Sequence, residues 1–294
     1  MSLEIKQNEP LSKHTTFAIG GPAKYFAVAK TKEDVLTAIE FAKNKNLPFF
    51  LLGGGSNLLV RDNGYEGLII KMQIGGLKTE GEKITVGAGI LLSQLMSESA
   101  NKGLSGLEWA VGIPGTIGGA VNGNAGAYGR AIAESVEEVV VLVEESGQWK
   151  EKKYLNKDCF FEYRKSKFKN LVNREIILSV GLNLQKSDVE KVRGEIRSIL
   201  LQRKGKVPPQ PSAGCVFKNI KKDGQLIATV GKLVDGCGLK GIRSGNAEIP
   251  LLHGNYVVNR GNAKADDVIK LINLCKQKVK EKFGFELEEE IVIV

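Results

Sequence analysis

Two stretches of this chain hold more glycine than a helix or strand tolerates. One is Gly53-Gly54-Gly55. The other runs from Val111 to Gly129 as VGIPGTIGGAVNGNAGAYG. Clustered glycine marks backbone that turns sharply or comes very close to something else. The 35 glycines of the 294-residue chain follow no simple period, which excludes a collagen-like repeat. A segment as long as 111–129 without regular structure is uncommon unless it serves function.

The first cluster, Gly53-Gly54-Gly55-Ser56-Asn57-Leu58, follows Phe49 to Leu52, a short apolar run that reads as a buried strand. Consecutive glycines let successive N–H groups point into one concavity that suits phosphate oxygens, and Ser56 and Asn57 add side-chain donors. A plain tight turn is the alternative for an isolated glycine triplet. The Walker pattern GxxxxGK[ST] is absent. A Rossmann GxGxxG fails twice: Leu58 stands at the third glycine after Gly53 and Gly55, and Leu92 does so after Gly87 and Gly89.

The rest of the chain reads as mixed α and β. Lys24 to Lys30 alternates as a strand. Thr31 and Asp34 stand at the capping-box offset before a helix carrying Val35, Ile39 and Ala42 on one face. Further strands are expected at 67–71 and 83–86, and a short helix at 91–102. Val136 to Glu144 and Gln148 to Tyr154 flank Glu145-Ser146-Gly147 as a hairpin. A strand is expected over 175–184. Ser187 and Glu190 then open a helix through about Gln202, with Val189, Val192, Ile196, Ile199 and Leu200 inside. Pro208, Pro209 and Pro211 disfavour helix and mark a linker. A helix over 265–282, stopped near Gly284, and a terminal strand from Glu288 to Val294 close the chain.

The net charge of +9 invites a nucleic-acid reading. Its lysines, however, lie in short clusters mixed with acidic or apolar residues, which favours a basic background and an anionic small ligand. Cys159, Cys215, Cys237 and Cys275 form no CxxC, so no metal site is expected. Free thiols and the lack of an apolar leader or an 18-residue apolar run fit a cytoplasmic chain without membrane insertion.

GGGSNLL at 53–59 and GIPGTIGGAVNGNAGAYG at 112–129 resemble the UDP-N-acetylenolpyruvoylglucosamine reductase (MurB) family. The resemblance continues in family order through FEYRKS at 161–166, PSAGCVFKN at 211–219, HGNYVVN at 253–259 and LEEE at 287–290. It implies an α+β fold: a two-part FAD-binding region of the PCMH/vanillyl-alcohol-oxidase type over 1–205, with lobes of about 1–75 and 76–205. A smaller α/β substrate-binding domain would follow over 206–294. It further implies non-covalent FAD, NADPH as reductant and a UDP-sugar substrate. The implied reaction turns UDP-N-acetyl-3-O-(1-carboxyvinyl)-glucosamine into UDP-N-acetylmuramate for peptidoglycan, in an expected monomer. Flavin N5 would supply the hydride, since no side chain can.

The resemblance assigns Arg164 to the substrate carboxylate, Cys215 as proton donor and Glu290 as the third catalytic group. It assigns the cofactor to Gly53, Gly54, Gly55, Ser56, Asn57, Leu58, Gly112, Ile113, Pro114, Gly115, Thr116, Gly118, Gly119, Ala120, Asn124, Ala125, Gly126 and Arg203. Tyr163, Lys206, Lys218 and Asn219 would meet the substrate. Arg can grip a carboxylate with two parallel bonds, and a thiol of ordinary pKa about 8.5 is a far better acid than an alcohol. Lys206 or Lys218 is expected to steady the Cys215 thiolate, whereas Cys159, Cys237 and Cys275 are expected to be small buried residues.

In an alternating strand Glu288 and Glu290 share a face and Glu289 lies opposite. The chain departs from the family pattern at Ile220, where Pro often follows the FKN motif, and at Ile291-Val292, where Val-Arg is common. The segment between Arg164 and Lys206 is short, as in the branch without an extra tyrosine-bearing loop. Two other readings stay open at this stage: a flavin oxidase or dehydrogenase of the same fold acting on an alcohol or hydroxy acid, whose relatives often tether FAD through His or Cys, and a non-catalytic nucleotide- or nucleic-acid-binding module.

Overall fold

Local sequence signals set the helix ends. Thr31 accepts the N–H of Asp34 at 3.1 Å, and the Asp34 carboxylate accepts the N–H of Thr31 at 3.0 Å. This reciprocal cap starts helix α1, Lys32–Asn44, which buries Val35, Ala38, Ile39 and Ala42. The other α-helices among the described residues are α2 (Leu92–Asn101), α3 (Ile117–Asn122), α4 (Val189–Arg203), α5 (Val230–Gly236) and α6 (Ala265–Phe283). The computed structural model describes residues 3–169 and 175–294. Among these, no helix is long and apolar enough to cross a membrane.

The chain divides into two compact units. The first comprises Met1–Ile5, Ala27–Gly54 and Ile70–Gln202; the second comprises Lys6–Phe26, Gly55–Ile69 and Arg203–Val294.

A five-stranded antiparallel sheet forms the body of the first unit, in the order Gln148–Leu155, Val136–Glu145, Ile176–Asn183, Lys83–Gly87, Leu77–Glu80. Its expected hairpin closes at Ser146-Gly147, where both φ angles are positive (52° and 78°). That turn matches the right-handed twist of the paired strands. The outer strand Gln148–Leu155 is mostly exposed. Lys150, Lys152 and Lys153 on it discourage edge-to-edge pairing. Ile84, Val86, Val139, Val141, Val180 and Leu182 of the sheet pack with Leu95 of α2, Ile117 of α3 and Trp109 in one core.

In the second unit, α6 turns Val268, Leu271, Ile272, Cys275 and Val279 inward. Each buried aliphatic side chain of this kind contributes roughly 1.5–3 kcal/mol of transfer free energy. The helix starts on the Asp62 carboxylate, which accepts the N–H groups of Ala265 and Asp266 at 3.0 and 3.2 Å. It ends at Gly284, as expected. Its partners in the core include Phe17, Leu59, Val216, Phe217, Val230 and Val257. The expected terminal strand is shorter than 288–294. Val292–Ile293 pairs in parallel with Leu58–Leu59, and an isolated bridge joins Glu289 to Phe217.

Two further expectations are corrected. Ser187 does not cap α4: the Asp188 carboxylate does, accepting the N–H groups of Glu190 and Lys191 at 2.9 and 3.1 Å. A charged acceptor one residue closer outcompetes the hydroxyl at the positive end of the helix. Leu200 is 45% exposed rather than inside, and only Val192 and Ile199 of α4 are fully buried. Asp188→Ala should therefore lower stability by about 1 kcal/mol while Ser187→Ala changes it little. Urea midpoints of the two variants check this, and the reverse order would restore Ser187 as the cap.

Candidate active site

Strand Phe49–Leu52 delivers Gly53 and Gly54 against the second glycine segment, within the first unit. A Cβ on Gly54 would lie 2.7 Å from Gly115 Cα, and one on Gly53 would lie 2.8 Å from Thr116 Oγ1. Backbone meets backbone here, and only glycine permits it. The N–H groups of Gly53 and Gly54 donate to no acceptor among the described residues. Unused main-chain donors in a loop without side chains are what an FAD diphosphate requires, so this part of the chain fits the cofactor.

The second glycine segment is more regular than its composition suggests. It contains α3 and a short pair of strands, Gly126–Ala127 with Arg130–Ala131. Thr116 caps α3, its Oγ1 accepting the Gly119 N–H at 3.3 Å. The N–H of Gly118 goes to Ala88 O and that of Ala120 to Thr116 O, both at 2.9 Å. The donors of Gly118, Gly119 and Ala120 thus serve the fold, and so do the carbonyls of Gly119 and Ala120, which accept the N–H groups of Gly123 and Ala125 at 3.1 and 2.8 Å. The Asn124 side chain is also used internally, donating to Glu162 O at 2.8 Å and accepting from the Ala133 N–H at 3.3 Å.

The bond to Glu162 gives the segment another role. Glu162 and Lys165 exchange backbone hydrogen bonds of 3.0 and 3.1 Å, which closes a two-residue turn on Tyr163-Arg164. Asn124 holds one side of this turn, and Ser166 Oγ donates to Asn122 O at 2.8 Å on the other. Arg164 sits at a φ of 57°, a conformation that costs a non-glycine residue roughly 1–2 kcal/mol. The two asparagines over-determine the turn and so fix a strained backbone, a pattern that clusters at functional sites. The guanidinium lies 5.6 Å over the Tyr163 ring, and Tyr163 itself is 38% exposed.

In the second unit a strip of three segments carries the other candidates. Val216 N–H donates to Asn255 O at 2.9 Å, and Cys215 lies directly opposite Tyr256. Asn255 also clamps Phe217 with its side chain, accepting from its N–H at 2.9 Å and donating to its carbonyl at 2.8 Å. On the other edge Glu290 N–H donates to Val216 O at 2.8 Å. Asn57 then donates to Glu290 O at 3.0 Å, and Val292 N–H to Asn57 O at 3.0 Å. The side chain of Asn57 therefore positions the Glu290 backbone. Leu58 is buried in the parallel pair below it.

The acidic triplet separates by partner. Glu288 pairs with Lys218, and Glu289 pairs with Lys276 at 2.5 Å. Glu290 is the acid whose charge reaches Tyr256, together with Arg203 and Cys215. Arg203 is a cation whose charge acts on the same phenol. Of the two lysines expected to support Cys215, Lys206 is exposed and Lys218 pairs with Glu288. Asn219 Oδ1 accepts the Val230 N–H at 3.1 Å at the start of α5.

Burial pushes the Cys159 thiol up to about 11 and the Cys275 thiol up to about 12. Both are buried as expected, whereas Cys237 is only half-buried. Sequence reasoning did not single out Tyr256. It lies in the HGNYVVN motif, and only its pairing with a distant segment reveals what it faces.

Residues 207–294 match the family described as "UDP-N-acetylenolpyruvoylglucosamine reductase, C-terminal domain", and residues 23–150 match "FAD binding domain". The UDP-N-acetylenolpyruvoylglucosamine reductase of Clostridium tetani is 38% identical over 100% of this chain and 93% of its own length. That of Desulforamulus reducens is 40% identical over 99% of this chain and 93% of its own length. The crystal structure of the Thermus caldophilus reductase superimposes with a TM-score of 0.79 at 36% identity, covering 100% of this chain and 99% of that one. Fold and glycine loops together define an FAD-binding oxidoreductase. The chain belongs to the UDP-N-acetylenolpyruvoylglucosamine reductase family.

Gly54→Ala should abolish bound flavin, because its Cβ would overlap Gly115. Gly194→Ala, with open space around it in α4, should retain flavin and gain up to about 1 kcal/mol of stability. Flavin absorbance of the purified variants checks both. The raised thiol pKa values keep Cys159 and Cys275 protonated until the pH climbs through about 11 and about 12. Peptide-resolved alkylation of the folded protein near pH 8, about the ordinary thiol range, should therefore label Cys215, label the half-buried Cys237 more slowly because burial raises its thiol too, and spare the other two.

Proposed function

We propose that the chain carries out the NADPH-dependent reduction of UDP-N-acetyl-3-O-(1-carboxyvinyl)-glucosamine to UDP-N-acetylmuramate. The observation that carries this reading is the strip that sets Cys215 opposite Tyr256, with Glu290 on its other edge and Arg203 as the nearby cation. Bound FAD supplies the hydride, renewed from NADPH. The chain's own residues handle charge and the proton. Residues 1–205 then serve FAD and residues 206–294 the substrate. The reading includes a monomeric cytoplasmic enzyme that binds no nucleic acid.

Hydride addition to the vinyl ether leaves negative charge on the substrate's carboxylate side as an enolate. Arg164, fixed at the apex of its turn, grips that carboxylate through two parallel hydrogen bonds. Preorganised donors at a developing charge contribute about 2.7–4 kcal/mol each when removed singly. Cys215 gives its proton to the enolate carbon: the S–H bond breaks, the C–H bond forms, and the sulfur keeps the electron pair. Glu290 is the third catalytic group and acts on the carboxylate-bearing intermediate or on the proton.

Tyr163, Lys206, Lys218 and Asn219 receive the sugar nucleotide. Lys218 must exchange Glu288 for a phosphate oxygen. Glu288 is 72% exposed on its side chain, and exposed pairs are worth only about 0–1 kcal/mol, so the exchange costs little. FAD contacts are assigned to Gly53 through Leu58, to 112–116, 118–120 and 124–126, and to Arg203, led by the unused donors of Gly53 and Gly54.

Cys215→Ala should still let NADPH bleach the flavin and should lose turnover by at least about 100-fold. Cys215→Ser should keep partial turnover. Stopped-flow flavin reduction alongside steady-state rates separates the two half-reactions. Full turnover in the alanine variant would remove Cys215 from the chemistry.

A further inference from the structure

Tyr256 stands directly across the strip from Cys215. Residues directly opposite in an antiparallel pair present their side chains on one face. That pairing brings the Tyr256 phenol within hydrogen-bonding reach of the Cys215 thiol, and the charges of Arg203 and Glu290 act on the phenol. Hydrogen bonds from Asn255 hold the pairing. Asn255 locks Phe217 with two side-chain hydrogen bonds, and its carbonyl takes the Val216 N–H. Behind the phenol, the His253 ring meets the Tyr256 ring edge-on at 4.7 Å between centroids. His253 Nδ1 accepts the Asn255 N–H at 3.1 Å, and burial lowers the pKa of its imidazole, so that ring is a neutral support.

We propose that Tyr256 is a positioning residue for Cys215, its phenol donating a hydrogen bond to Sγ so that the thiol proton points away from the strip and the sulfur is stabilised once that proton leaves. This rests on the reading of Cys215 as proton donor. Each group has one hydrogen to give. If the phenol donates to sulfur, the S–H is left for the substrate carbon. Burial pushes the phenol up to about 12, so it keeps its own proton throughout. On protonation of the substrate carbon the S–H bond breaks, a C–H bond forms and the electron pair stays on sulfur. The contact then becomes charge-assisted, roughly twice as strong as its neutral form. No proton leaves the phenol, and solvent restores the thiol. Arg203 favours the thiolate and Glu290 opposes it, while neutral His253 does neither. The hydroxyl is the part that matters, since a phenylalanine fills the same ring volume.

The test is Tyr256→Phe in the FAD-loaded enzyme, read by peptide-resolved iodoacetamide labelling of Cys215 across pH. Loss of a hydrogen bond to the charged form raises the thiol pKa, so labelling in the rising part of the curve should slow about tenfold. kcat should fall about tenfold, with KM changed less than about twofold and flavin reduction by NADPH unaltered. A labelling curve that superimposes on the wild type overturns the contact. A shifted curve with unchanged kcat overturns its catalytic part. Site-specific 3-fluorotyrosine at 256, a stronger donor, should move the curve toward lower pH, and it keeps the proposal testable should the phenylalanine variant lose flavin. Cys215→Ala separates the two readings. Full turnover there removes the proton donor and the proposal with it. An inactive Cys215→Ala beside a wild-type-like Tyr256→Phe overturns Tyr256 alone.

Discussion

The close approach of Gly54 to Gly115 is the constraint on which the first unit's chemistry depends. A single added Cβ would sit 2.7 Å from the opposing Cα, so no other residue can occupy the loop without moving it. Because the two segments touch through backbone, the N–H groups of Gly53 and Gly54 stay available to a ligand. The same segment then does a second task. Its asparagines at 122 and 124 hold the Tyr163-Arg164 turn from both sides. One glycine-rich stretch therefore shapes a phosphate cradle and aims a guanidinium.

The second unit solves a related problem with hydrogen-bonded pairing. Cys215, Tyr256 and Glu290 come from segments far apart in sequence, and none lies in a long strand. The Asn255 clamp and the Asn57 bridge to Glu290 O fix their register. A one-residue slip would put Glu289 where Glu290 stands and turn its side chain to the other face. Glu289 instead meets Lys276, so the pairing with lysines reinforces the register that hydrogen bonds set.

What the sequence revealed follows the range of the interactions. The Thr31–Asp34 cap, the Ser146-Gly147 hairpin and the apolar stripe of α6 are local, and each was legible from a few neighbouring residues. Ser187 and Asp188 differ as caps by one position and by a charge, which pattern alone does not resolve. Helix α3 was hidden because its glycines oppose helix, and its stability comes from the Thr116 cap and from packing on Ala88. The candidate residues were identified through ordered motifs resembling a family. Their partners, such as Asn255 and Tyr256, depend on long-range pairing that no spacing records.

The central claim is that the chain passes reducing equivalents from NADPH to an enolpyruvyl sugar nucleotide through bound FAD. The most direct measurement is the anaerobic absorbance spectrum of the purified protein, first with one equivalent of NADPH and then with the enolpyruvyl substrate. The account predicts that NADPH bleaches the flavin bands and that the substrate restores them as UDP-N-acetylmuramate appears. Flavin that stays reduced after substrate is added, with no such product, would contradict it.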